Sequence, residues 1–244
     1  MPLRTALPVA LAQFLRPAEE TASRAKALPL RIPALDSVLP DRGLPRGAVI
    51  ELASPLGLGG ATRVALAACV SAQREAVEQS FGRVEQDGWC VWVDPRRTLY
   101  APAVMSAGVN LDRLLVLQPT ANKLARLAVR VTTSLVFRVI VVDVVGIPGS
   151  LLRADLGRYP NIVRRLAMAA EGSSTTVLLL TDARARRPLP LPVAMRIELE
   201  RPSQEELRVH IAKERYGRIS NPISILDCAH RRSESKPAQI AASG

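Results

Sequence analysis

Residues 48–61 read Ala-Val-Ile-Glu-Leu-Ala-Ser-Pro-Leu-Gly-Leu-Gly-Gly-Ala, an apolar run that breaks into a glycine-rich turn. The Ala/Leu-rich pattern that follows predicts a helix over 62–81, with Val64, Ala67, Ala68 and Ser71 on one face. Strand, tight turn and helix is the arrangement in which backbone N–H groups cradle a phosphate. A working loop of this kind reads Gly-x-x-x-x-Gly-Lys-Ser/Thr, with the lysine on the β/γ oxygens and the hydroxyl on Mg²⁺. Here Ser54 takes the place of the first glycine and Gly59 keeps the second. Gly60 stands where the lysine belongs, and Ala61, ahead of Thr62, replaces the hydroxyl residue. The scaffold is kept and the charges are missing. An ordinary Gly-rich strand-to-helix turn uses the same glycines for backbone reasons alone, so these residues leave both readings open.

Working outward, further short apolar runs predict strands at 89–94, 114–117, 139–143, 176–181 and 194–200. Helical periodicity fills 121–133 and 162–171, the latter ended by Gly172. Strands that are apolar throughout and alternate with helices predict an α/β fold with a mostly parallel sheet, helices covering both faces. Residues 207–212 pair naturally with 223–226, which predicts a short antiparallel edge. The expected organisation is an N-terminal arm at 1–30, a core domain at 31–228 and a disordered basic tail at 229–244. In such sheets ligands sit at the carboxyl ends of the strands.

At 244 residues with 48% hydrophobic content the chain can bury a large core, which excludes disorder throughout. Lys and Arg outnumber Asp and Glu by 33 to 22, a net +11 that favours an anionic partner: DNA, RNA or an acidic protein surface. An Arg-rich proteome gives the same balance. Aromatic residues are only 3%, which argues against a base-stacking platform for single strands. Cys69, Cys90 and Cys228 are far apart, and His210 and His230 lack ligand spacing, so neither a disulfide framework nor a metal site is expected. Pro8 and Gln13 interrupt the apolar run at 6–15, which argues against a signal peptide. No stretch reaches 18 uncharged apolar residues, and the expectation is a cytoplasmic protein without membrane contact.

Asp143 ends the run Val-Ile-Val-Val-Asp, the place of a metal-orienting carboxylate in phosphate-loop proteins. A strand-end Asp capping its next turn looks the same, and Asp94 ends a strand in like manner. Here the chain resembles the RecA recombinase family, on three segments. Residues 35–39 and 43–47 (Leu-Asp-Ser-Val-Leu, Gly-Leu-Pro-Arg-Gly) look like that family's lead-in to its phosphate loop. Residues 107–115 (Ala-Gly-Val-Asn-Leu-Asp-Arg-Leu-Leu) with Gln118-Pro119 are similar to its approach to the third strand, the most specific match. Residues 139–143 complete the set, and the similarity runs over about 31–226.

The resemblance implies a RecA-like core, and the departures from it carry as much weight. Two residues after Asp94 the family places a glutamate that activates the attacking water; this chain has Arg96, which cannot act as a base. The polar residue that senses the γ-phosphate falls near Thr181-Asp182. The long DNA-binding loop that follows in the family is reduced to 183–192, stiffened by Pro188, Pro190 and Pro192. Lys213-Glu214-Arg215-Tyr216-Gly217 resembles the basic hairpin with which related ring and filament proteins reach a neighbour's nucleotide. Residues two apart in a strand share a face, so Lys213 and Arg215 are expected on the same side; a solvated edge strand is the plainer alternative.

A short, basic form with so many losses resembles the ImuA-type RecA relatives of bacterial damage-inducible mutagenesis cassettes. That implies a non-catalytic, cofactor-free role in the SOS response and translesion synthesis, contacting RecA or error-prone polymerase subunits. Two alternatives stay open. One is a DNA-binding module using Arg184, Arg186, Arg187, Arg231 and Arg232 on phosphates, with affinity falling steeply in salt. The other is a residual ATPase in which Arg63, or a neighbour's Lys213, stands in for the lost lysine.

Overall fold

β1 (Ala48–Ser54) lies inside an eight-stranded sheet and is buried along its whole length. The structure is a computed structural model and describes residues 27–55, 60–79, 88–145, 158–184, 191–203 and 205–226. The other strands are β2 (Cys90–Val93), β3 (Leu114–Leu117), β4 (Val139–Asp143), β5 (Thr176–Asp182), β6 (Met195–Glu200), β7 (Glu206–Glu214) and β8 (Ile223–Leu226). Their order is β3-β2-β4-β5-β1-β6-β7-β8. All pairings from β3 to β6 are parallel; β7 is antiparallel to β6 and β8 to β7. The expected α/β architecture with an antiparallel edge is therefore present.

Helices α1 (Pro33–Val38), α2 (Ala61–Gln79) and α3 (Ala101–Ser106) pack on one face, and α4 (Ala121–Thr133) and α5 (Arg158–Ala170) on the other. On the α2 side the core gathers Leu35, Ala65, Ala68, Trp92, Val141, Leu178 and Ile197. On the α4–α5 side it gathers Val49, Val91, Leu124, Ala128, Ile140, Val163, Leu166 and Val177. Successive residues of β1, β4 and β5 thus enter different cores, which is why these strands read as continuous apolar runs. β6 and β7 alternate instead, burying Ile197, Leu199, Leu207, Val209 and Ile211 on the α2 side only.

Three local differences from the sequence reading have physical causes. α5 begins at Arg158 rather than 162, because Pro160 falls in the first turn, where a missing N–H costs nothing. α2 runs over Ala61–Gln79, opened by the Gly60 carbonyl accepting from the Val64 N–H at 2.9 Å. β3 is a sheet edge, so Leu115 and Val116 remain about two-fifths exposed (40% and 39%) despite an apolar sequence. The core also reaches back to Leu28, which exchanges backbone hydrogen bonds with Leu44 at 2.7 and 2.8 Å. A Cβ on the intervening Gly43 would stand 2.6 Å from the Leu28 carbonyl oxygen, so glycine alone lets the two segments close. The amphipathic pattern at 9–15 and the tail from 229 lie outside the described residues.

Candidate functional site

At the carboxyl ends of the parallel strands, Asp94 follows β2 while Asp143, Asp182 and Ser54 end β4, β5 and β1, so that the four stand in a row. Each carboxylate accepts from a backbone N–H of the turn it starts: Asp94 from Leu99 at 2.8 Å, Asp143 from Val145 at 3.0 Å, Asp182 from Arg184 at 2.9 Å. This is the turn-closing use of aspartate. Burial pushes the Asp143 carboxyl above its ordinary range; the Asp94 carboxylate adds to this, while the Val145 N–H and Arg96 oppose it. The Arg96 guanidinium donates to the Val145 carbonyl at 3.1 Å, reaching from the β2 end to the β4 end across this corner.

Ser54 is buried at the end of β1, and Gly60 and Ala61 are buried where α2 begins; Thr62 is exposed. Gly59 lies outside the described residues, as do Arg186, Arg187, Arg231 and Arg232. A Cβ on Gly60 would meet Leu207 Cδ1 at 2.6 Å, so the first residue of β7's apolar face occupies the space a side chain there would need. Arg184 is exposed, two residues after the end of β5. Among the described residues no group of three or more His, Cys, Asp or Glu could hold a metal ion, and no helix is long and apolar enough to cross a membrane.

Below this row lies a polar cluster that the sequence reading missed. Glu51, 1% exposed in the middle of β1, accepts from the Thr181 hydroxyl at 2.7 Å and faces the Arg196 guanidinium at 3.4 Å. Arg196 also bonds Glu198, whose second oxygen meets His210 Nδ1 at 3.1 Å. The residue near the expected γ-phosphate sensor position, Thr181, thus spends its hydroxyl inside the sheet. The available signal was a single carboxylate in an otherwise apolar strand.

Lys213 and Arg215 do not share a strand face. β7 ends at Glu214, and Arg215 opens a turn closed by Gly217 N–H to the Glu214 carbonyl at 3.0 Å. The cause is the Glu214 carboxylate, which accepts from the backbone N–H groups of Tyr216 (2.7 Å) and Arg218 (3.2 Å) and curls the chain. Lys213 meanwhile donates to the Leu191 carbonyl at 2.8 Å. Register places the turn far from the phosphate-type loop: Glu214 pairs with Met195, and Met195 with Ile50 near the start of β1.

Burial alone would raise the Glu214 carboxyl, but the Arg218 guanidinium and the two N–H groups outweigh it and hold it below the usual carboxylate range. A depressed carboxylate stabilises the fold above its unfolded pKa of about 4.3 and loses that contribution as pH falls through the folded value. Arg218 also forms a bidentate pair with Asp41 at 2.8 and 2.9 Å, tying the segment after α1 to this turn. Arg218→Gln is therefore expected to cost about 2 kcal/mol at neutral pH, since the Glu214 side chain is 4% exposed and would be left with a buried charge. In urea unfolding followed between pH 3 and pH 7, the gap from wild type should shrink towards acid; a gap that stays constant would dissociate Arg218 from the Glu214 titration.

No family model matches the chain. Among curated proteins it is similar to Protein RecA of Bacillus licheniformis, 27% identical over 180 residues, covering 69% of this chain and 48% of that protein. RecA of Cutibacterium acnes is 28% identical over 185 residues (71% and 50%), and RecA of Oceanobacillus iheyensis 31% over 165 residues (63% and 44%). The chain spans about half the length of these relatives. With the sheet described above, this distant similarity supports a place in the RecA-like superfamily.

Proposed function

We propose that this chain is a non-catalytic RecA-like protein of the ImuA type, acting in the cytoplasm in the DNA-damage response and translesion synthesis. It binds RecA or error-prone polymerase subunits and modulates recombination or lesion bypass. The observation that carries this reading is the corner between β2 and β4. Where a water-activating carboxylate would have to act, Arg96 holds the Val145 carbonyl beside Asp143. Guanidinium is a permanent donor without acceptor capacity, so it cannot take a proton from water. Gly60 supplies no ammonium and Ala61 no hydroxyl, and the Asp143 carboxylate is engaged by the Val145 N–H. This donor set does not fit a magnesium nucleotide, and no catalytic step is assigned to it.

The reading predicts that Gly60→Lys with Ala61→Thr does not create efficient ATP hydrolysis, because Arg96 still occupies the base position. Steady-state phosphate release should stay at the background of the wild-type chain. Mg²⁺-dependent turnover by the wild-type chain that Asp143→Asn abolishes would overturn the non-catalytic assignment, and appreciable turnover by the double variant would overturn the argument from Arg96. The partner half is tested by crosslinked recovery of this protein from DNA-damaged cells after nuclease treatment. RecA or bypass-polymerase subunits should persist; loss of all of them with the nuclease would refute a protein adaptor.

A further inference from the structure

The charge of this protein is unevenly settled. On the outer strands the charged side chains neutralise each other: Arg196 with Glu51 and Glu198, Arg208 with Glu200 and Glu206, His210 with Glu198. On the helical side Arg46 pairs with Glu75 and Arg31 with Glu78. The layer made by α4 and α5 is different. Their sequences, Ala-Asn-Lys-Leu-Ala-Arg-Leu-Ala-Val-Arg-Val-Thr-Thr and Arg-Tyr-Pro-Asn-Ile-Val-Arg-Arg-Leu-Ala-Met-Ala-Ala, carry three cations each and no Asp or Glu. Lys123, Arg126, Arg130, Arg164 and Arg165 are all exposed. None of the five makes an ion pair or a side-chain hydrogen bond among the described residues.

The fold fixes where these charges sit. Leu124, Ala128 and Val131 of α4 and Val163, Leu166 and Ala170 of α5 are buried in one cluster against the sheet, which turns the remaining faces outward together. The spacing of three and four residues keeps Lys123, Arg126 and Arg130 on one side of α4, in a row about 10 Å long at 1.5 Å per residue. A packed neighbouring helix lies about 8–10 Å away and carries Arg164 and Arg165. Leaving five like charges unneutralised on one face costs self-repulsion in the isolated protein, which an anionic surface would relieve.

We propose that the outer face of α4 and α5 binds the phosphate backbone of duplex DNA, without reading its sequence. Among the described residues of the two helices Met168, beside Arg164 and Arg165, is the one large apolar side chain that is exposed, whereas a protein interface is anchored by a desolvated apolar or aromatic cluster. A bilayer surface would ask for apolar side chains among the charges; Met168 is exposed on α5, and Leu135 and Val136 follow α4 only at its end. This inference stands independently of the adaptor reading, since it concerns the opposite face of the sheet from α2 and needs neither a nucleotide nor a protein partner.

The test is fluorescence anisotropy of the full chain with a short fluorescein-labelled duplex of arbitrary sequence, titrated at several salt concentrations. Each phosphate neutralised contributes about 0.9 to the slope of log affinity against log salt. The variant Lys123→Gln/Arg126→Gln/Arg130→Gln should lower that slope by about 2 to 3 and weaken low-salt affinity by about tenfold or more. Arg164→Gln/Arg165→Gln, on the other helix, should lower the slope by about 2, and it keeps the test valid if the first variant loses its helical circular dichroism. Arg208→Gln removes an exposed but paired cation and should change neither quantity. An unchanged slope in a folded helix variant, an equal loss in Arg208→Gln, or preferential binding to phosphatidylserine vesicles over duplex would each overturn the proposal.

Discussion

Arg196→Met is expected to lower the unfolding free energy by about 3 kcal/mol, a larger penalty than its partly exposed position suggests. The reason lies one strand away. Glu51 is 1% exposed, and the hydroxyl of Thr181 is a neutral partner that cannot balance a carboxylate. Arg196, at 3.4 Å, supplies the opposite charge. Taking that opposite charge away from a buried carboxylate costs more than the pair itself contributes. The double variant Arg196→Met/Glu51→Leu should recover most of the loss, because removing both charges together removes the imbalance. Urea unfolding of the two single variants and the double variant reads this directly as a coupling energy. A cost below about 1 kcal/mol for Arg196→Met would mean that Glu51 does not depend on it.

Trp92→Ala is expected to cost about 4 kcal/mol, through lost transfer energy and the cavity left behind. Trp92 is among the largest fully buried side chains, 1% exposed on β2 and surrounded by the core on the α2 side. α2 contributes small residues to that core, Ala65, Ala68, Cys69 and Ala72, which cannot extend into an indole-sized void. Trp92→Phe should cost much less. Its indole Nε1 is buried with no hydrogen-bond partner among the described residues, so removing that donor offsets part of the lost volume. Comparable losses in the two variants would assign the importance of this position to the indole itself rather than to its bulk.

Much of the fold was legible because each strand's neighbours are written into its pattern. The runs at 114–117, 121–133 and 139–143 fall on β3, α4 and β4 to the residue, since apolar repeats of the right length sit between turn signals. The antiparallel pairing of β7 with β8 was legible for the same reason. Helix starts were less so: Pro160 reads as a break in sequence, yet the first turn of α5 accepts it. The turn after Glu214 was also illegible, because alternation continues through Lys213 and Arg215 while the side chain between them captures two backbone N–H groups. Glu51 shows a further limit. One carboxylate among apolar neighbours announces that it must be satisfied, but its partners, Thr181 and Arg196, are 130 and 145 residues away in the chain. The α4–α5 cations were visible at helical spacing throughout; what the sequence could not show was that Glu51, Glu75, Glu78, Glu198 and Glu200 are engaged by other cations.

The register of the outer strands has a consequence for concentration. Glu214 lies level with Ile50, so the basic turn and the end of β1 at Ser54 are separated by four strand positions, about 13 Å at 3.3 Å per residue, at opposite rims of the sheet. The turn is also pinned there by the Arg218 pair with Asp41. One molecule therefore cannot bring Arg215 to its own glycine-rich turn. Any event that uses both must be shared between two copies, one presenting each rim. Its rate would then fall with the square of the protein concentration, while DNA binding at the face of α4 and α5, at fixed DNA concentration, would fall only in proportion.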